Sequence, residues 1–147
     1  MLPDLDDDAR ARAEERLREQ TVVWLTTVSA DGQPQTSPVG FVWDGESFLI
    51  LSQPGQAKVR NLGGNPRVSL HLDLDGEAER NSVLTVEGVA TVDPAPPGGS
   101  ARLSEDEAAV YVERYLESME WAGTTPEATF ADFSTVIRVT PTRARSW

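Results

Sequence analysis

The sequence predicts a mainly β single domain with flanking helices, built as a six-stranded antiparallel barrel, closed or split. Three observations lead there. Strand-length runs of apolar and β-branched residues follow one another with short turns between them. Asp31-Gly32 and Asp44-Gly45 sit between such runs, and Asp-Gly is a strong tight-hairpin signal. The 147 residues, 39% of them hydrophobic, suit one core, and closing so small a sheet removes aggregation-prone edges.

Taken in order, Asp6 to Glu19 mixes good helix formers with charges of both signs, predicting a surface helix after a disordered acidic start. Thr21 to Val28 is dense in β-branched and aromatic residues and predicts a strand. A second strand runs from about Pro34 to Trp43, with Val39, Phe41 and Trp43 on one face. Phe48 to Leu51 is continuously apolar, as in a strand buried on both faces. Ser52-Gln53-Pro54-Gly55 turns the chain into a short helix from about Gln56 to Leu62, which Gly63-Gly64-Asn65-Pro66 stops. Val68 to Asp75 alternates apolar and polar residues, Asp75 to Arg80 reads as a charged loop, and Ser82 to Val92 is a fifth strand in which Gly88 marks either a bulge or a close backbone approach. Asp93 to Ala101 is too rich in proline and glycine to extend either neighbour. Ser104 and Glu107 then form a capping box, and Ala108, Val112, Tyr115, Leu116 and Met119 recur at helical spacing, most simply as a core stripe. A last strand spans Phe133 to Arg145.

Charge and absent residues limit the chemistry. The formal net charge of −11 opposes binding to nucleic acid, whose phosphates require a basic surface. No apolar run reaches membrane-spanning length, and the acidic start is unlike a signal peptide, so a cytoplasmic location is expected and no membrane partner. With no cysteine, thiol chemistry and thiolate metal sites are excluded. His71 is the sole histidine, which leaves no histidine cluster for a metal. The chain offers neither a nucleophile elbow nor an oxyanion loop for a Ser-His-Asp hydrolase. Redox chemistry, if present, belongs to a bound organic cofactor.

The candidate site lies within Phe48 to Asp73. A helix opening on unpaired N–H groups beside Lys58 and Arg60 is a ready anion site. Of thirteen basic residues twelve are arginine, and Lys58 is the single lysine. The plainer alternative is a solvated helix lysine. His71, on the polar side of its strand, could donate a proton, although a structural role is simpler. Trp43, Trp121 and Trp147 read first as core or interface residues.

The run TTVSADGQPQTSPVGFVWDGESFLILSQPGQAKVRNLGGNPRVSLHLD resembles the flavin and deazaflavin oxidoreductases of the pyridoxamine 5'-phosphate oxidase-like superfamily. It is most similar to the actinobacterial branch that uses coenzyme F-420, and the likeness extends through the late capped helix to the closing VIRVTPTRARSW. The resemblance implies an FMN-binding type of split barrel, assembled as a homodimer with two equivalent cofactor sites at the subunit interface. Ser52, Gln53, Lys58 and Arg60 would hold the cofactor phosphate, and Asn61 would support the short helix. Thr36, Ser37, Pro38 and Val39 would line the ring through backbone contacts. Gln56 stands where such families often carry a basic residue, which removes one phosphate contact. True pyridoxamine phosphate oxidases have a basic R-x-V-L-L-K pattern where this chain has Thr36 to Gly40, and their C-terminal histidine and arginine lack clear counterparts. Vitamin oxidation is therefore not expected. The implied activity is hydride transfer from reduced F-420 to an electron-poor small molecule, with no side chain acting as nucleophile. One alternative is an FMN-dependent reductase or oxidase of the same fold. Another, of a different class, is a non-catalytic flavin, haem or pigment-binding protein.

Overall fold

A computed structural model describes residues 1–74 and 83–147. The expected charged loop from Asp75 to Arg80 and the expected strand start at Ser82 fall outside them. Helix α1 (Asp7–Glu19) is capped by Asp6, whose carboxylate accepts the Ala9 N–H. Then come β1 (Val22–Val28), β2 (Pro34–Gly40), β3 (Val42–Trp43), β4 (Phe48–Ser52), α2 (Ala57–Gly64), β5 (Arg67–His71) and β6 (Leu84–Pro94). Helices α3 (Glu105–Trp121) and α4 (Pro126–Asp132) precede β7 (Thr135–Ser146).

Among the described residues seven strands form one antiparallel sheet in the order β2-β1-β5-β6-β7-β4-β3. The seventh strand arises because the run from Pro34 to Trp43 is two strands, not one. Its first half pairs with β1 and its second with β4. The two halves, β2 and β3, thus lie at opposite ends of the strand order, although only Phe41 separates them in the chain. The sheet must therefore curl until its two edges meet, which makes a split barrel. Phe41 leaves the ladder because its backbone N–H and C=O both pair with the Tyr115 hydroxyl of α3. Gly40 suits this crossing, since a Cβ there would lie 3.3 Å from the Tyr115 ring.

Strand β4 is buried along its whole length, as its apolar run predicts. Phe48 and Ile50 enter the barrel core with Leu25, Phe41, Leu70 and Ile137. Leu49 and Leu51 face the other way and pack with Val136 beneath Tyr111 and Met119 of α3. Each such side chain contributes about 1.5–3 kcal/mol by leaving water. Val39, Phe41 and Trp43 do share the core side. Register shifts at Glu87/Gly88, where a Cβ would meet Val139 Cγ1 at 2.6 Å and the Thr140 carbonyl oxygen at 2.8 Å. The bulge thus sits where β7 approaches too closely for any side chain.

Three expectations need correction, and one helix was not expected. The acidic start is ordered: Leu2 is fully buried, and Arg10 Nε donates to the Leu2 carbonyl at 2.8 Å. Helix α2 runs through Gly63 and Gly64. It stops at Asn65, which precedes proline and is held extended at φ −148°, ψ 107°. On α3, Met119 is buried and Tyr115 partly buried as expected, but Tyr111 is buried too, whereas Leu116 is exposed. The last strand lies where expected, as β7, but helix α4 precedes it in a stretch for which no element was expected. Thr125 caps it by accepting the Ala128 N–H, and Pro126 opens it.

Candidate functional site

Ser52 ends β4, and Gly55 at φ +88° turns the chain into α2. No side chain caps that helix at Gln56. Asn61 fixes it against the barrel: its Nδ2 donates to Thr27 Oγ1 at 3.0 Å on β1 and to Gln35 Oε1 at 2.8 Å on β2. The first turn of α2, carrying Lys58, is thereby held between β2 and the end of β4.

Two clefts meet at Gln56 and Lys58. One, of about 250 Å³, runs over Thr27, Gln35, Thr36 and Ser37. The other, of about 280 Å³, lies between Pro38-Val39-Gly40 and Ser52-Gln53 on one side and Tyr111, Thr129 and Phe133 on the other. Polar groups concentrate in the first cleft, where Thr26 Oγ1 and Thr36 Oγ1 are 2.7 Å apart on its strands. The second is walled by Leu51 and the aromatic rings.

Lys58 is half-buried, and among the described residues no carboxylate lies within ion-pairing distance of it. Burial pulls its ammonium below the usual lysine range. A cation withdrawn from water without a partner is costly, and an anion in the cleft would relieve that cost.

Seven of the nine expected site residues line these clefts: Thr36, Ser37, Pro38, Val39, Ser52, Gln53 and Lys58. Val39 is a core side chain, 8% exposed, so it offers the cleft little beyond its main chain. The Ser52 hydroxyl is buried and donates to the Gln53 carbonyl at 2.9 Å. Asn61 lines neither cleft and acts on the helix, as described. Arg60 lines neither cleft as well, and its guanidinium donates to the Gly55 carbonyl, bracing the turn before α2. Positive charge in the clefts therefore comes from Lys58. His71 stacks on Trp24 elsewhere on the barrel wall, ring centroids 6.2 Å apart and planes within 8°. Among the described residues no cluster of three histidines or carboxylates could hold a metal ion.

Tyr111, Thr129 and Phe133 were not expected in the site. The Tyr115-Met119 spacing marked a core stripe without placing Tyr111 against β4, and α4 went unread although Thr125-Pro126-Glu127 carries a helix-start signature.

This arrangement has counterparts among known proteins, beginning with a family model described as pyridoxamine 5'-phosphate oxidase, which matches residues 9–147. The chain belongs to the pyridoxamine 5'-phosphate oxidase family. Solved structures that resemble this member include an F-420 reductase, at 28% identity over 89% of this chain and 94% of that one, TM-score 0.62. HutZ, the haem storage protein of Vibrio cholerae, matches at 25% identity over 93% of each chain, TM-score 0.66. A conserved hypothetical protein of Mycobacterium tuberculosis shares the fold at 24% identity over 97% of this chain and 84% of that one, TM-score 0.70. The similar structures thus include an F-420 reductase and a haem storage protein.

Proposed function

We propose that this family member is an oxidoreductase that binds coenzyme F-420 and passes a hydride to an electron-poor small molecule. The observation that carries the reading is Lys58, an unpaired, half-buried cation where a polar cleft meets an aromatic-walled one. A phosphorylated cofactor with a planar ring matches both halves: phosphate toward Lys58 and the α2 N-terminus, ring against the walls formed by Pro38, Leu51 and Phe133. The F-420 reductase among the similar structures supports the choice of cofactor. When bound, the deazaflavin supplies the hydride. The chain contributes position, through Lys58 and Gln53, and exclusion of water, through Leu51, Tyr111 and Phe133.

FMN carries the same phosphate and a similar ring, so it is the runner-up cofactor. A pigment or haem carrier is less well supported, because neither cleft is lined by a histidine and the chain has no cysteine. The site is proposed to work in a cytoplasmic homodimer of one-domain subunits. Both clefts open at the surface, and Phe133, Leu116 and Trp121 leave apolar area exposed on the α3–α4 side. Among the described residues no helix is long and apolar enough to cross a membrane.

Calorimetric titration with F-420 and with FMN tests the proposal. Tighter binding of F-420 to a colourless protein is expected, and Lys58→Ala should weaken it by about 1.5–3 kcal/mol. Equal affinity of wild type and variant would remove the reading's support. Sedimentation should give twice the 16.0 kDa chain mass, and a monomer at micromolar concentration would refute the homodimer.

A further inference from the structure

The α3–α4 wall of the second cleft carries two hydroxyls with no protein partner. Thr129 Oγ1 is buried and makes no hydrogen bond. Tyr111 is 8% exposed, lines the cleft, and its hydroxyl also has no hydrogen-bond partner among the described residues. Its ring is fixed all the same, packed on Tyr115 at 4.7 Å and on Phe130 at 5.9 Å between centroids. Tyr115 is itself tied to the backbone of Phe41. Unlike the Thr129 hydroxyl, the Tyr111 hydroxyl is not sealed from solvent: its ring is largely buried and its polar tip opens to the cleft. Here the missing partner is best supplied from the cleft.

We infer that the Tyr111 hydroxyl donates a hydrogen bond to the oxygen of a conjugated carbonyl substrate, making the Leu51-Tyr111-Phe133 end of the cleft the acceptor subsite. This rests on the hydride-transfer reading above. Burial and the neighbouring Tyr115 push the Tyr111 phenol well above the usual tyrosine range, so it keeps its proton and remains a donor. In an enone, the hydride bonds to the β carbon, and the C=C pair shifts so that the carbonyl oxygen becomes an enolate. The enolate then takes a proton from water at the α carbon, leaving hydroxide that solvent neutralises. The reductant is the reduced deazaflavin, oxidised by two electrons. Negative charge grows on oxygen in the transition state, where a donor fixed in advance acts most strongly.

Tyr111→Phe tests this directly. With F-420 and 2-cyclohexen-1-one, kcat should fall roughly 100-fold, the scale for loss of one preorganised donor to an oxyanion, while KM and F-420 affinity hold within about twofold. A second measurement needs no turnover: the infrared carbonyl stretch of saturating cyclohexanone bound to the F-420-loaded protein. It should lie at lower frequency in wild type than in Tyr111→Phe. Identical carbonyl frequencies overturn the inference whether or not the enone is reduced, and so does an unchanged kcat. Failure of wild type to bind F-420 or to reduce any acceptor would instead strike the proposed function, and the same infrared comparison on the cofactor-free protein would still decide the Tyr111 assignment.

Discussion

The Tyr115 hydroxyl accepts the Phe41 N–H at 2.6 Å and lies 2.6 Å from the Phe41 carbonyl, so one side chain replaces both ladder partners of the residue at which the sheet turns back on itself. The same hydroxyl is 2.8 Å from the Thr21 carbonyl, and its single proton serves the two carbonyls between them. Barrel closure and the placement of α3 are therefore one event. Arg114, one position earlier, stacks over the Phe41 ring at 5.0 Å and reinforces the same contact.

Tyr115→Phe should accordingly cost about 1–3 kcal/mol, the penalty for leaving buried backbone groups unpaired. Tyr111→Phe removes a hydroxyl with no protein partner and should leave stability almost unchanged. Urea titrations of the two variants make the comparison. Equal losses would mean that Phe41 finds another partner when Tyr115 cannot bond it.

Gly88→Ala probes the opposite side of the barrel. The new methyl would meet Val139 Cγ1 at 2.6 Å, which can shift, and the Thr140 carbonyl oxygen at 2.8 Å, which belongs to backbone. Overpacking of this kind costs roughly 1–3 kcal/mol. No residue of β6 or β7 lines either cleft, so F-420 affinity in the folded fraction should match wild type. A stability equal to wild type in a denaturant titration would show that β6 and β7 can separate at the bulge.

The strands were legible in the sequence because a half-buried strand writes its alternation directly, as Val68, Leu70 and Leu72 do, and because Asp31-Gly32 and Asp44-Gly45 mark their turns. The break at Phe41 was not. Nothing local to Val39-Gly40-Phe41-Val42 distinguishes one long strand from two, since the cause is Tyr115, a residue 74 positions away. The candidate site shows the same division. Lys58 and the Ser52-Gly55 turn stand out in a chain whose other basic residues are all arginine, and they do line the clefts. Arg60 has the same chemistry and nearly the same place in the chain, but it turns to the Gly55 carbonyl. Helical phase, which spacing alone does not fix at the first turn, separates the two. Tyr111, Thr129 and Phe133 reach the cleft only through the packing of α3 and α4 on β4.

Lys58 should make ligand binding and folding respond to alkali with opposite signs. Burial lowers the pKa of this ammonium in the folded chain, so between the folded and unfolded values the unfolded chain binds more protons. The Lys58 contribution to stability therefore improves as pH rises through that window toward the ordinary lysine value near 10.4. Phosphate binding requires the charged form, so affinity for F-420 should hold at neutral pH and fall through the same window, before an exposed lysine would lose its proton. Lys58→Arg keeps its charge throughout and should abolish the fall, even where its longer side chain weakens binding overall. Calorimetry across alkaline pH on wild type and Lys58→Arg measures the difference directly. Parallel curves for the two proteins would show that the phosphate is held without the Lys58 charge.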